Sequence, residues 1–251
     1  SNGRRAQLGL MVEIIGHRGS SKEAPENTLA SNQLAFLEKA DGVEVDVRMT
    51  KDGELVCIHD KNTVRTTGVD ALINEKTIAE LKSMDAGVWK GEQWKGETIP
   101  SLAEVLEAIP QGKKIYIEMK EGLDTIDPLV RSIEASNLDT NQISVISFHP
   151  EVVKKIKQEI VQVTANLLIS FESGKNDSVK EILIKLEEGH LDGVGAQNHP
   201  KLSPAFVDKL LAADKKVHVW TVDNVEEAKN YKAMGLSSIT TNVPGLIKSS
   251  L

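Results

Sequence analysis

The sequence predicts an α/β protein: a single (β/α)8 TIM barrel carrying an insertion between its second and third barrel strands. Three observations lead there. Short β-branched runs alternate with longer helical patterns, eight such units fit within 251 residues, and one interval, residues 50–100, holds more than a single helix. Alternating strands and helices imply parallel strands joined by helical crossovers. Eight of them at this length fit a closed barrel better than an open sheet.

Barrel strands are expected at residues 12–16, 43–49, 115–119, 143–148, 163–169, 193–197, 217–222 and 238–241. Helical patterns lie between them, at 28–39, 102–108, 127–135, 150–159, 177–188, 203–213, 224–234 and, shorter, at 243–248. Several carry start signals: Ser101 as an N-cap, Ser203-Pro204 as cap plus first-turn proline, and Asp223-Asn224 ahead of the next helix. In the irregular interval, Asp52-Gly53 supplies the positive φ of a tight hairpin. Residues 55–59 then read as a further strand, and about 61–100 as an inserted subdomain on one rim. Residues 12–251 form one domain on this reading, and 1–11 are an N-terminal extension, a cloning scar or the stump of a processed precursor.

Composition excludes some functions. At 40% hydrophobic and 27% charged the chain is ordinary for a globular protein. Its formal net charge of −7 argues against nucleic acid or an anionic membrane surface as the main partner. An anionic small molecule would need a local positive site. The single cysteine, Cys57, allows no intrachain disulfide, and no apolar run approaches the roughly 18 residues of a membrane span. Compartment stays open between the cytoplasm, which is favoured, and the periplasm or exterior if the N-terminus was processed. Oligomeric state is not legible.

Active sites of such barrels sit at the C-terminal ends of the strands. His17 and Arg18 follow the first strand. Glu44 and Asp46, two apart, share one side of the second, as Glu118 and Lys120 do at the end of the third. Polar groups in strands otherwise built of Val, Ile and Met are costly to bury unless paired or ligated. Three carboxylates at one barrel mouth suit a hard cation such as Mg²⁺ or Ca²⁺. Structural ion pairs with Arg48 or Lys120 would explain them equally well, and spacing alone does not decide.

The local sequences shift that balance. His17-Arg18-Gly19, Pro25-Glu26-Asn27-Thr28, Glu44-Val45-Asp46-Val47, Thr50-Lys51-Asp52-Gly53, His59-Asp60, Ile99-Pro100-Ser101-Leu102, Glu118-Met119-Lys120 and Trp220-Thr221-Val222-Asp223 occur in this order. Together they closely resemble the glycerophosphodiester phosphodiesterase family, a barrel related to phosphatidylinositol-specific phospholipase C. The resemblance runs from His17 to Pro244. It implies metal-dependent hydrolysis of a glycerophosphodiester to glycerol phosphate and an alcohol, with one divalent cation, Mg²⁺ or Ca²⁺, as cofactor. The metal ligands match Glu44, Asp46 and Glu118, the acid–base pair His17 and His59, and the phosphate-binding bases Arg18 and Lys120. Trp220 is expected to offer an apolar face to the substrate. Which histidine is acid and which is base is not given; the expectation leans to His17 as acid and His59 as base. One departure stands out: Thr241-Asn242-Val243-Pro244, where the family usually reads Thr-Asp-x-Pro. It is expected to touch a structural contact of the last turn and no catalytic role.

Blander expectations cover the rest. His149, His190 and His199 read as surface histidines, and His218 as a hydrogen-bonded core histidine in the lumen. Phe148 reads as core and Cys57 as a small buried hydrophobe. Trp89 and Trp94 either shape the rim for a lipid-derived group or serve insertion packing, and Glu26 and Asn27 brace the first loop. The competing functions are a phospholipase D- or C-type enzyme acting on lysophospholipid or phospholipid, an enolase-type lyase or isomerase, and a non-catalytic binding barrel. The enolase reading leaves His17-Arg18 and the insertion unexplained. A binding protein would be expected to lack a histidine or a ligand, and none is missing.

Overall fold

The structure is a computed structural model that describes residues 12–172 and 178–251. The expected N-terminal extension and the first residue of the helix predicted at 177–188 lie outside the described residues.

Strands β1 (Glu13–His17), β2 (Gly42–Met49), β4 (Lys114–Met119), β5 (Ile143–Ser147), β6 (Thr164–Ile169), β7 (Gly193–Gln197), β8 (Lys216–Trp220) and β9 (Ser238–Thr241) form one parallel sheet. It closes on itself, because β1 pairs with both β9 and β2. The short strand β3 (Leu55–Cys57) returns antiparallel along β2. Gly53, at φ 78°, turns the hairpin between them, as Asp-Gly predicted. The fold is the expected (β/α)8 barrel.

The strand sequence explains both layers. In β2, Val43, Val45 and Val47 are buried against Leu102, Val105 and Leu106 of the helix layer. Alternation sends the residues between them, Glu44 and Asp46, to the lumen. Each fully buried valine contributes about 1.5–3 kcal/mol, which offsets the cost of the carboxylates interleaved with them. The lumen holds a small core of Ile15, Tyr116, Ile146 and Leu168, with Trp220 packed against it.

The outer helices are α1 (Leu29–Leu37), α4 (Leu102–Glu107), α5 (Ile126–Ala135), α6 (Pro150–Glu159), α7 (Val179–Gly189), α8 (Pro204–Ala212), α9 (Val225–Met234) and α10 (Pro244–Ser250). Ser101 and Ser203 cap α4 and α8 as predicted, and Ser101 forms a full capping box with Glu104. Asn224 rather than Asp223 caps α9, which leaves the Asp223 carboxylate free for the last turn.

Between β2 and β4 the insertion carries two short helices, α2 (Val64–Thr67) and α3 (Ile78–Lys82). It packs around Ile73, Leu81, Ala86 and Ile99, joined to the barrel through Val56 and Ile58. Carboxylates shape its loops: Asp85 accepts bonds from the amides of Gly87, Val88 and Gly96.

Candidate active site

Strand register brings the polar residues together at the C-terminal mouth. His17 of β1 lies beside Glu44 of β2, and Asp46 of β2 beside Glu118 of β4. Glu44, Asp46 and Glu118 each offer an oxygen within 4.8 Å of the others. Glu44 and Asp46 are buried.

Two cations reach this cluster. Lys120 Nζ lies 2.8 Å from Glu118 Oε2 and 3.8 Å from Asp46 Oδ1, and Arg18 Nε lies 3.1 Å from Asp46 Oδ2. Arg18 sits at φ 56°, in the left-handed region, and that bend lets its amide donate to Glu44 Oε1 at 3.2 Å. Gly19 follows at φ 84°, and a β-carbon there would lie 2.4 Å from Ser31 Oγ; only glycine fits. Asn27 grips Asp46 twice, its Nδ2 donating to Oδ2 at 3.0 Å and its Oδ1 accepting from the Asp46 amide at 3.1 Å. Glu26 accepts from Arg18 and from Arg65 of the insertion.

The charges do not balance within the protein alone. Burial, then Asp46 and Glu118, push the Glu44 carboxyl well above the usual range. Burial and Asp46 also push Glu118 up to about 7. Burial would raise Asp46 as well, but Lys120 and Arg18 overcome it and hold that carboxyl below the usual range. Carboxylates this close disfavour one another's charged forms, and a cation held among them would relieve that repulsion. An all-oxygen donor set of this size fits a hard divalent cation. The structural ion pairs considered from sequence are therefore present in part: Lys120 engages the cluster, while Arg48 turns away to the His59 carbonyl (2.7 Å) and Glu121 (3.5 Å).

The two histidines stand on different supports. His17 Nδ1 lies 2.7 Å from Asn242 Oδ1, and its Nε2 is 4.0 Å from Glu44 Oε1. Burial, and then Arg18, lower its pKa. His59 Nδ1 lies 2.8 Å from Asp60 Oδ1. Burial lowers its pKa too, with the Asp60 bond opposing. Arg65 donates to both Asp60 and Glu26 and so ties the His59 support to the first loop.

A cavity of about 320 Å³ opens onto this cluster. His17, Arg18, Glu44, His59, Glu118 and Lys120 line it together with apolar Ile146, Phe148, Leu168 and Trp220. The Trp220 indole donates to the Gly195 carbonyl at 2.9 Å and meets Phe148 edge-on at 5.8 Å. Every residue named from sequence as ligand, acid–base group or substrate contact thus converges here except Asp46, which lies just beneath.

Two expectations need correction. Phe148 is 44% exposed rather than core, because β5 ends at Ser147 and releases it to the cavity rim. Asn242 was placed in a purely structural contact, yet it touches His17 directly. His218 is buried in the lumen with Nδ1 2.6 Å from Ser238 Oγ, as expected, but it also lines the cavity; Cys57 is buried. His149, His190 and His199 do not line the cavity. Arg65 was missed altogether. It has no motif around it, and its partners lie 5 and 39 residues away.

Comparison with known proteins agrees with this geometry. The model of the glycerophosphoryl diester phosphodiesterase family matches residues 17–246. A glycerophosphodiester phosphodiesterase from Caldanaerobacter subterraneus is 32% identical over 92% of this chain and 94% of its own. One from Bacillus altitudinis is 31% identical over 93% and 96%. Among solved structures, an Oleispira antarctica phosphodiesterase in complex with the product sn-glycerol-3-phosphate superposes with a TM-score of 0.87 at 30% identity, covering 96% of this chain and 97% of that one. Because the match extends from the first strand's histidine into the last helix, taking in the whole barrel mouth, this chain belongs to the glycerophosphoryl diester phosphodiesterase family.

Proposed function

We propose that this protein hydrolyses glycerophosphodiesters to glycerol phosphate and an alcohol at the mouth of the barrel. The observation that carries the reading is one cavity, lined by two cations, two histidines and the aromatic pair Trp220 and Phe148, that opens onto a cluster of three carboxylates. Relatives that match over nearly the whole chain bear the same activity in their names.

Glu44, Asp46 and Glu118 would hold one divalent cation, Mg²⁺ or Ca²⁺. When bound, it supplies positive charge against a phosphoryl oxygen. Arg18 and Lys120 offset the charge that develops on the phosphoryl group. Trp220 and Phe148 flank the apolar part of the substrate and exclude water from that side.

Hydrogen bonding favours the reverse of the histidine roles leaned to from sequence. His17 is backed by a neutral amide and faces the carboxylate cluster, so it takes the nucleophile's proton. His59 is backed by a carboxylate, which favours its charged form, so it protonates the departing alkoxide. The nucleophile is the glycerol C2 hydroxyl. Its oxygen bonds to phosphorus as the bond to the alcohol breaks, and water then opens the cyclic phosphate. A tethered hydroxyl has an effective molarity of ~10⁵ M or more when well oriented.

A panel of glycerophosphodiesters, intact phospholipids and lysophospholipids tests the reading, with products identified in Mg²⁺, in Ca²⁺ and in excess chelator. Glycerol phosphate plus free alcohol, formed only with a cation, is the expected result. Turnover confined to intact phospholipid would transfer the protein to the phospholipase reading. Equal rates on the natural diester and its 2-deoxy analogue would remove the internal nucleophile.

A further inference from the structure

The environment of His17 Nδ1 contains a chain of hydrogen bonds whose direction can be read from one end to the other. Asp223 begins it. Its Oδ1 accepts from the Thr241 hydroxyl at 2.9 Å and the Asn242 backbone amide at 2.8 Å. Its Oδ2 lies 2.8 Å from Asn242 Nδ2.

A carboxylate only accepts. The amide nitrogen of Asn242 must therefore face Asp223, because the flipped amide would set an oxygen against an oxygen at that distance. That orientation points Asn242 Oδ1 the other way, towards Ser21 Oγ at 2.9 Å and His17 Nδ1 at 2.7 Å. An amide oxygen also only accepts, so Nδ1 must carry the proton. In a neutral imidazole one ring nitrogen is protonated and the other is not. The unprotonated one is then Nε2, which faces Glu44 Oε1 at 4.0 Å.

We propose that Asn242, oriented by Asp223, is a positioning residue that fixes neutral His17 in the Nδ1–H tautomer and leaves the Nε2 lone pair facing the reaction site. The inference rests on the reading of His17 as a reacting histidine only for its catalytic consequence; the tautomer itself follows from the hydrogen bonds. It differs from a carboxylate support such as Asp60 behind His59. An amide fixes direction without adding a negative charge, so it orients the ring and favours the charged form less than a carboxylate would.

Reversing the first link gives a sharp test. In Asp223→Asn, the one remaining side-chain oxygen is held by Thr241 Oγ1 and the Asn242 amide, so an NH2 group faces Asn242. The Asn242 amide must then turn over, presenting Nδ2 to His17 Nδ1 and driving the proton to Nε2. Long-range ¹H–¹⁵N correlation spectra of the full-length labelled protein read this directly, with and without Mg²⁺, at a pH where the ring is neutral. The wild type is expected to show a protonated Nδ1 and an unprotonated Nε2 at His17. Asp223→Asn is expected to invert the pattern and lower kcat by about 10–100-fold, the usual cost of removing a residue that orients a functional histidine, with KM little changed. Asn242→Ala, which leaves the Asp223–Thr241 bond in place, should give a mixture of tautomers and serves if Asp223→Asn does not fold. A wild-type His17 protonated at Nε2 would overturn the proposal, as would a tautomer unmoved in both variants. A protein with the expected tautomer that cleaves no glycerophosphodiester would leave this relay standing and overturn the function proposed above.

Discussion

Asp46 exchanges two hydrogen bonds with Asn27 and lies against Arg18 and Lys120, so three residues fix its place. Replacing it with Asn keeps the shape and removes the charge. Asp46→Asn should abolish Mg²⁺ binding in a calorimetric titration while the circular dichroism stays native, since Arg18 keeps Glu26 and Lys120 keeps Glu118. Unchanged cation affinity would mean that Glu44 and Glu118 suffice. His59 predicts a different signature. It is only part-buried, so His59→Ala should leave Tm within about 2 °C, yet lower kcat by at least ~10² through loss of a positioned proton donor. A folded variant with normal turnover would remove it from the chemistry. At this scale the site was legible where residues repeat every second position along a strand, as Glu44 and Asp46 do. It was illegible at Asn242, whose contact with His17 joins positions 225 residues apart.

Elements differ in how much of themselves the sequence displays. Strand β2 announced itself because Val43, Val45 and Val47 alternate with polar partners, and the strand followed. The end of β5 was misjudged by one residue, since Phe148 suits a strand in propensity and only the tertiary turn at Ser147 releases it. The insertion showed no period at all. Its order comes from side chains bonding to backbone, at Asp85 and Thr63, and from the Arg65 bridge to Asp60 and Glu26. That bridge carries a prediction for the element. Arg65 is part-exposed, so breaking it should cost about 1 kcal/mol or less, a Tm decrease of roughly 2–4 °C at this size. Its local effect should be larger: protease cleavage within 61–100 should accelerate in Arg65→Ala. The bridge is also pH-dependent. Hydrogen bonds from Arg65 hold the Asp60 carboxyl down at about 2, below its unfolded value of about 4. A depressed carboxylate contributes stability above the unfolded pKa and loses it as pH falls through the folded one. Protection of the insertion should therefore fade between about pH 4 and pH 2 in the wild type, and fade less in Arg65→Ala. Equal acid sensitivity in both proteins would mean the bridge does not anchor the insertion.

Taken as a whole, the molecule is acidic and its proposed substrate is an anion. With a formal net charge of −7, the protein's far field attracts the cation and repels the phosphodiester. Within the cavity Arg18, Lys120 and the proposed divalent cation would reverse the sign at close range. Salt separates these two ranges, because the Debye length is about 8 Å at 0.15 M and about 30 Å at 0.01 M. Charges distributed over the surface are screened as salt rises; contacts of 3–4 Å in a part-buried pocket are screened far less. Cation affinity should thus weaken as ionic strength rises from 0.01 to 0.15 M. Affinity for sn-glycerol 3-phosphate at saturating Mg²⁺ should hold steady or strengthen, since screening relieves the long-range repulsion. Isothermal titration at the two ionic strengths, with a salt that does not bind the site, measures both. If the phosphate ligand lost affinity with salt as steeply as the cation, its binding would be governed by exposed positive charge, and the close-range assignment to Arg18 and Lys120 would have to be abandoned.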